Sequence, residues 1–242
     1  MRSSLADDAG GDGGKPVDPE LGTSIALYSR TYSDTASAAS RAGKGWGSAR
    51  NSASRISNSL TVRQVGQVFS AGQQALLRGL PLNRHITIHW EVAGVNDAQA
   101  AGATGKFIKY AGDWIRSHGG RLAWLWVREN GYGKGSHVHM LLHVPKGLSL
   151  GKMQRGWLKK ITGQAYRADS IRTTRIARTA NASATAPALY SQNLAELLGY
   201  LVKGASEEAA EHFSLGRCVP GGQVIGKRCG VAQNISPKAE LH

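Results

Sequence analysis

The sequence predicts an α+β domain in which a central antiparallel sheet has helices packed on one face. Three observations support this fold class. Segments in which apolar residues alternate with polar ones, as in half-buried strands, are interspersed with segments of helical periodicity. Two of the strands follow each other directly around a glycine-rich turn, which is typical of a hairpin. The order strand, helix, hairpin, helix, strand, helix favours an antiparallel sheet.

These elements fall between residues 81 and 212, which we take as the folded domain. In chain order we expect a strand over 85–92, a helix whose apolar stripe runs from Phe107 to Ile115, a hairpin of strands over 121–129 and 137–144, a helix around Trp157, a strand over 171–178 and a helix from Asn193. Gly119 and Gly120 are typical of a helix C-terminus. Asn193 with Glu196 three residues later is typical of a capping box.

The segments on either side of this domain have a different composition. Residues 22–59 are rich in Ser, Ala, Gly and Arg and have almost no aliphatic periodicity. We therefore expect 1–80 to be a largely disordered basic segment, with a short amphipathic helix over 62–77. Residues 213–242 are rich in Gly, Pro and Lys, and we expect a flexible basic C-terminal tail.

The charge of the chain points to a polyanionic partner. Its 242 residues carry 30 Lys and Arg against 16 Asp and Glu, a formal charge of +14, and such an excess is typical of nucleic-acid-binding proteins. No apolar stretch approaches the roughly 20 residues of a membrane-spanning helix, so we expect no membrane association. Because there are two cysteines and no apolar leader segment, we expect a cytoplasmic protein.

The strand over 137–144 carries the clearest chemical signal. Alternate side chains of a strand share a face, so His137 and His139 point the same way, opposite to the apolar Val138 and Met140. Two imidazoles so placed form a bidentate metal site. Glu129 ends the partner strand within reach of His137. These three residues suit a divalent ion such as Mn²⁺ or Mg²⁺, and Zn²⁺ fits the same ligands.

A candidate nucleophile lies on the last predicted helix. Tyr200 falls just outside the apolar stripe at Leu197, and Lys203 follows one turn later on the same flank. A tyrosine can attack phosphorus, and its phenolate can leave again when the reaction reverses. The Lys203 ammonium favours the phenolate or neutralises a phosphotyrosine. The alternative interpretation is a tyrosine that only packs at the edge of the helix.

Three motifs together resemble the HUH endonucleases, and most closely the single-tyrosine initiators of rolling-circle replication. They are Ile86-Thr87-Ile88, His137-Val138-His139, and Tyr200 followed by Lys203, within residues 84–205. The resemblance implies a ferredoxin- or RRM-like sheet and a metal-dependent nick in single-stranded DNA at an origin. It also implies a 5′-phosphotyrosine, a free 3′-OH and later rejoining of the strands.

The resemblance also implies roles for individual residues. His137 and His139 would be metal ligands with Glu129 as the third, Tyr200 the nucleophile and Lys203 its helper. Glu91 competes with Glu129 for the third position, and the role of His89 is open. A host helicase and a host polymerase would unwind and extend the DNA.

Basic residues between the hairpin and the last helix are predicted to hold the phosphates of single-stranded DNA, with Tyr132, Trp157 or Tyr166 to stack its bases. The candidates are Arg155, Lys159, Lys160, Arg172 and Arg175. One alternative function is a transposase or mobilisation relaxase with the same chemistry. Others are a non-catalytic nucleic-acid-binding protein with structural histidines, and a zinc-stabilised module that adds Cys218 and Cys229.

Overall fold

Five strands of this protein, seen in a computed structural model, form one antiparallel sheet in the order β5-β2-β4-β3-β7. The structure describes residues 54–179, 181–216 and 218–236. The elements are β1 (Ile56–Ser57), α1 (Val62–Leu77), β2 (Arg84–His89), α2 (Asp97–Ser117), β3 (Ala123–Gly131), β4 (Gly135–His143), α3 (Gly151–Thr162), β5 (Ile171–Arg175), α4 (Ala182–Thr185), α5 (Pro187–Leu201), α6 (Glu207–His212), β6 (Val224–Ile225), β7 (Cys229–Val231) and a short 3-10 helix (Gln233–Ile235).

The predicted α+β class is confirmed, but the helices cover both faces of the sheet and not one. On one face, Ile86 and Met140 pack against α2 and α3. On the other face, Leu125 and Leu141 pack against α1, α5 and α6. The central strand β4 is buried along nearly its whole length as a result. The second helical layer was not expected because it includes α1, which lies before the predicted domain.

Helix α1 has the bounds that the sequence predicts, and it belongs to the folded core. Thr61 caps it in a reciprocal capping box with Gln64. Val68 and Phe69 are buried in the same cluster as Leu198 of α5. The expected domain boundary between residues 80 and 81 is therefore wrong, because the folded unit already includes this helix. The predicted disorder over 1–53 lies outside the described residues.

The segment after residue 213 is also folded, which corrects the expectation of a flexible tail. Strand β7 pairs with β3 at the edge of the sheet, and β6 pairs with β1. Phe213 and Ile235 are buried in the core. The buried Arg228 guanidinium donates hydrogen bonds to Ser57 and to the Gly222 carbonyl. Composition did not predict this segment because these contacts join residues far apart in sequence. Residues 237–242 are not described.

Two further boundaries differ from the prediction. Helix α5 begins at Pro187, a residue that suits the first turn because its ring fixes φ and that turn needs no N–H donor. Asn193 lies inside the helix, where its amide donates to the Leu189 carbonyl at 2.7 Å. Strand β5 ends at Arg175, shortly before Ala177 and Arg178 adopt φ values of 55° and 62°. None of the described helices has the length and apolarity that a membrane crossing requires.

Candidate metal centre

The register of the three central strands brings the predicted metal ligands together. Glu129 of β3 lies directly opposite His137 of β4, and Thr87 of β2 lies opposite His139. Residues opposite each other in an antiparallel pair share a face of the sheet. Glu129, His137 and His139 are all buried on the face that α5 partly covers, here called the site face. One ligand-type atom from each lies within 4.8 Å of the other two.

The facing atoms of His137 and Glu129 repel each other unless a cation lies between them. His137 Nδ1 lies 2.8 Å from the Gly135 carbonyl oxygen, which can only accept, so we assign the proton to Nδ1. In a neutral imidazole, Nε2 is then a lone-pair acceptor. This Nε2 lies 3.3 Å from Glu129 Oε2, which is also an acceptor. A proton or a metal ion between the two atoms removes their repulsion.

His139 presents a ring nitrogen that no described residue satisfies. Its Nδ1 lies 3.0 Å from Thr87 Oγ1, which fixes the ring, and its Nε2 is buried with no hydrogen-bond partner in the described part of the chain. A buried polar atom without a partner is costly. A hydrogen bond to the second nitrogen of a metal-ligating histidine is the usual way in which its ring is oriented. The donor set therefore fits a divalent ion.

The electrostatic environment keeps His139 and Glu129 in the protonation states that metal binding requires. Burial lowers the pKa of His139 to about 2, against the opposing effect of the Glu129 carboxylate, so the imidazole is neutral. Burial on its own raises the pKa of Glu129, but in the metal-free site a hydrogen bond from His137, which requires a proton on Nε2, and one from Lys203 outweigh it and lower the pKa to about 2. Neutral imidazole and ionised carboxylate are the forms that coordinate metals.

The predicted nucleophile lies beside this cluster. The ring centroid of Tyr200 is 5.1 Å from that of His139, and the tyrosine side chain is 43% exposed. Lys203 Nζ lies 4.0 Å from the Tyr200 ring centroid and forms an ion pair with Glu129 Oε1. Lys203 thus contacts both the candidate nucleophile and a candidate metal ligand. The structure brings together all five residues that the sequence assigned to metal binding and catalysis.

Other residues that could serve as a metal ligand or as the nucleophile do not take part in this cluster. Glu91 is outside the metal-binding group found among the described residues, and its carboxylate accepts from the Ser136 N–H at 3.3 Å. Tyr190 is buried, its hydroxyl donates to the Leu82 carbonyl at 2.7 Å, and burial raises its pKa. Burial also raises the pKa of the Cys229 thiol to about 11. Cys218 is exposed, and neither cysteine joins the group.

Sequence reasoning missed two neighbours of the cluster on β2. The ring of His85 lies 5.5 Å from that of His139, and its buried Nε2 has no partner in the described residues. Burial lowers the pKa of His85 to about 4, with further contributions from Arg172 and Lys203. Thr87 orients His139 as described above. Strand alternation places both residues on one face with His89, which stacks on His137, so the pattern could have identified them.

The predicted DNA-binding residues do not form one surface. Arg172 lies opposite Thr87 and shares the site face, whereas Arg175 lies opposite Arg84 on the other face. The remaining three candidates are exposed on α3, which packs on the face opposite the metal cluster: Arg155, Lys159 and Lys160. Of the five candidates, only Arg172 lies on the same face as the metal cluster. Their role in DNA binding remains a prediction.

Comparison with protein-family models, curated proteins and solved structures gives no match for this chain. The fold and the site together define an antiparallel α+β domain with a buried Glu-His-His group suited to a metal ion. A partly exposed tyrosine and a lysine complete the site.

Proposed function

We propose that this protein is a metal-dependent DNA endonuclease and strand transferase of the HUH type. It would nick single-stranded DNA at an origin and so initiate rolling-circle replication. The observation that carries the proposal is the position of Tyr200 next to the Glu129-His137-His139 group, with Lys203 in contact with both. A tyrosine that only packed at the edge of its helix would not require this arrangement.

Each residue of the site has a separate role in the proposed cleavage reaction. Tyr200 Oη attacks the phosphorus and loses its proton, the new P–O bond links the protein to the 5′ phosphate, and the bond to the 3′ oxygen breaks. That oxygen takes up a proton and becomes the free 3′-OH. Glu129, His137 and His139 would hold a divalent ion such as Mn²⁺ or Mg²⁺, which would supply charge stabilisation at the phosphoryl oxygens.

Lys203 has a role in both directions of the reaction. Its ammonium, already close to the tyrosine ring, stabilises negative charge on the phenolate or on the phosphotyrosine. Because a phenolate is a good leaving group, a 3′-OH can attack the phosphotyrosine and restore a phosphodiester. The partial exposure of Tyr200 leaves room for a strand to approach, while the metal ligands beneath it are buried. The net charge of +14 favours a polyanionic substrate.

The proposal is tested by looking for the covalent intermediate. The protein is incubated with labelled single-stranded DNA and Mn²⁺, denatured, and analysed for a protein–DNA adduct. We expect an adduct with the wild type, none with Tyr200→Phe, and a strong reduction with His137→Ala. Tyr190→Phe is the matched control, because Tyr190 is buried away from solvent, and it should still form the adduct.

The same experiment separates the alternatives. An adduct that persists in Tyr200→Phe would show that another residue is the nucleophile. Binding of single-stranded DNA without an adduct under any metal condition would favour the non-catalytic nucleic-acid-binding protein.

A further inference from the structure

The turn between β3 and β4 presents a tyrosine fully to solvent. Tyr132 has a relative exposure of 107%, and the next most exposed large hydrophobic side chain in the described part of the chain, Leu77, has 71%. A single exposed apolar residue is common and has no meaning by itself. The argument for Tyr132 therefore depends on what supports it and on what lies nearby.

The base of this hairpin is anchored on both strands directly below the turn. On β3, the Asn130 N–H donates to the Gly221 carbonyl at 2.8 Å and its side-chain amide donates to the Gln223 carbonyl at 3.0 Å. On β4, the Ser136 hydroxyl donates to Asp97 at 2.7 Å. These bonds fix the root of the turn, so Tyr132 is held at a defined place relative to the strands.

That place is close to the candidate metal centre. Glu129 and His137 form a cross-strand pair only two rungs from the last pair, Gly131 with Gly135. Tyr132 is three residues from Glu129, about 10 Å along an extended strand. A DNA strand whose phosphate is held at the metal centre, if it runs along β3 and β4, would pass the tip of the hairpin within a few nucleotides. Residues 130–136 contain Lys134 and no acidic residue, which suits a phosphate backbone.

The other two aromatic candidates for base stacking are not open to a base. Trp157 is 5% exposed and packs against Phe107 and Trp114. Tyr166 is partly buried, and the Arg155 guanidinium lies over its ring at 5.0 Å. Trp157 belongs to the core cluster on the face opposite the metal ligands, and Tyr166 packs against that cluster. Of the three, Tyr132 alone offers a free aromatic face next to the site.

We propose that Tyr132 stacks on one unpaired base of the DNA strand, within a few nucleotides of the phosphate that is cleaved. The proposal rests on the proposed function for the identity of the substrate, and it adds a residue that fixes where the strand lies. Stacking on an aromatic ring tolerates every base, so Tyr132 sets register and affinity and not sequence. Its loss should weaken binding by roughly 5- to 150-fold, the range that corresponds to base–aromatic stacks.

The experiment measures binding, so that it does not depend on cleavage. Fluorescence anisotropy with a labelled single strand is recorded without divalent metal, in a Tyr200→Phe background. We expect Tyr132→Ala to lower the affinity by the factor given above, and Tyr132→Phe, which keeps the ring, to bind like the parent. Lys134→Gln tests the contribution of charge separately from stacking. It should reduce the dependence of affinity on salt, and in its presence Tyr132→Ala should still bind more weakly than Tyr132→Phe.

A scan with abasic sites locates the stacked base. In the parent protein, removal of one base should weaken binding, and in Tyr132→Ala removal of that same base should have no further effect. Equal affinities of the parent and Tyr132→Ala would overturn the proposal, as would equal losses in Tyr132→Ala and Tyr132→Phe, which would indicate a hydroxyl contact. Strand binding that depends on Tyr132, with no adduct in the cleavage assay, would refute the proposed function and leave the stacking role intact.

Discussion

On one face of β4, Val138 and Met140 pack among apolar side chains of α2 and α3, whereas on its other face His137 and His139 lie in a polar cluster. The two sets alternate along a single strand, and both are buried. The apolar face gains stability from burial alone. The polar face buries unsatisfied nitrogen atoms, which costs stability unless a ligand satisfies them. This strand therefore combines a face that stabilises the fold with a face whose buried nitrogen atoms a bound cation could satisfy.

Truncating one side chain on each face of β4 should give the largest effects. His139→Ala removes one of three candidate ligands, and we expect Mn²⁺ affinity to fall at least about 100-fold, more than the loss of an outer hydrogen bond to a ligand costs. Its neighbour in the same strand, Met140→Ala, should keep the metal affinity and lose about 2–5 kcal/mol of unfolding free energy. Isothermal titration and urea denaturation measure the two quantities. Equal metal affinities in both variants would contradict the contrast between the faces.

A smaller effect should come from the ion pair that links α5 to the polar face. Lys203 neutralises Glu129 and places a positive charge next to the proposed cation site. We expect Lys203→Met to raise Mn²⁺ affinity by about 3- to 10-fold, a typical size for one screened charge at close range. Lys203→Arg keeps the charge and should bind Mn²⁺ like the wild type. A lower affinity in Lys203→Met would instead mean that the lysine mainly orients the carboxylate.

The pH dependence of the stability of the metal-free protein tests the polar face without a metal. The folded-state pKa of His139 lies at about 2, below the ordinary value of 6.5, so below about pH 6.5 the unfolded state binds a proton that the folded state does not. Stability therefore falls as the pH is lowered, by about 1.4 kcal/mol per pH unit for this group. His85, with a pKa of about 4, acts in the same direction. Glu129, whose pKa is lowered to about 2 from 4.5, adds to the loss below about pH 4.5.

His139→Gln should remove the contribution of His139 to the pH dependence of stability between about pH 6.5 and pH 4.5. In this window His139 titrates in the unfolded state and not in the folded state. Met140→Leu, on the other face, should leave the slope unchanged. Urea denaturation at a series of pH values gives both results. A slope in His139→Gln equal to that of the wild type would show that the buried imidazole is not held neutral.

The five residues of the candidate site could be predicted because each follows from a local rule. Strand alternation puts His137 and His139 on one face, hairpin geometry brings Glu129 opposite His137, and helical spacing puts Tyr200 and Lys203 on one flank. Two of the errors arose where local rules do not apply. Helices were expected on one face of the sheet, but α1, α5 and α6 also cover the other face. Which face each candidate DNA-binding arginine occupies is likewise decided only by the pairing of β5 with β2.

The C-terminal segment was the other error, and it also has a physical cause. Its strands are two and three residues long, too short to show a periodicity. They are held by contacts that no local pattern contains, such as the bonds from Arg228 to Ser57, 171 positions away. The same segment binds the hairpin at Asn130 and the loop after α5 through the Val219 N–H and the Lys203 carbonyl. It therefore connects the hairpin, which carries the candidate metal ligands, to the end of α5, near Tyr200 and Lys203.

The sequence by itself determined the four longest strands, the alternation of their side chains between two faces, and the identity of the candidate ligands and nucleophile. It could do so because the direction of a side chain depends on a period of two or 3.6 residues. Only the tertiary structure decided that helices cover both faces, that Lys203 joins Glu129, and that Tyr132 stands free at the tip of an anchored hairpin. Those features depend on contacts between distant segments, whose pairing is settled when the whole chain packs.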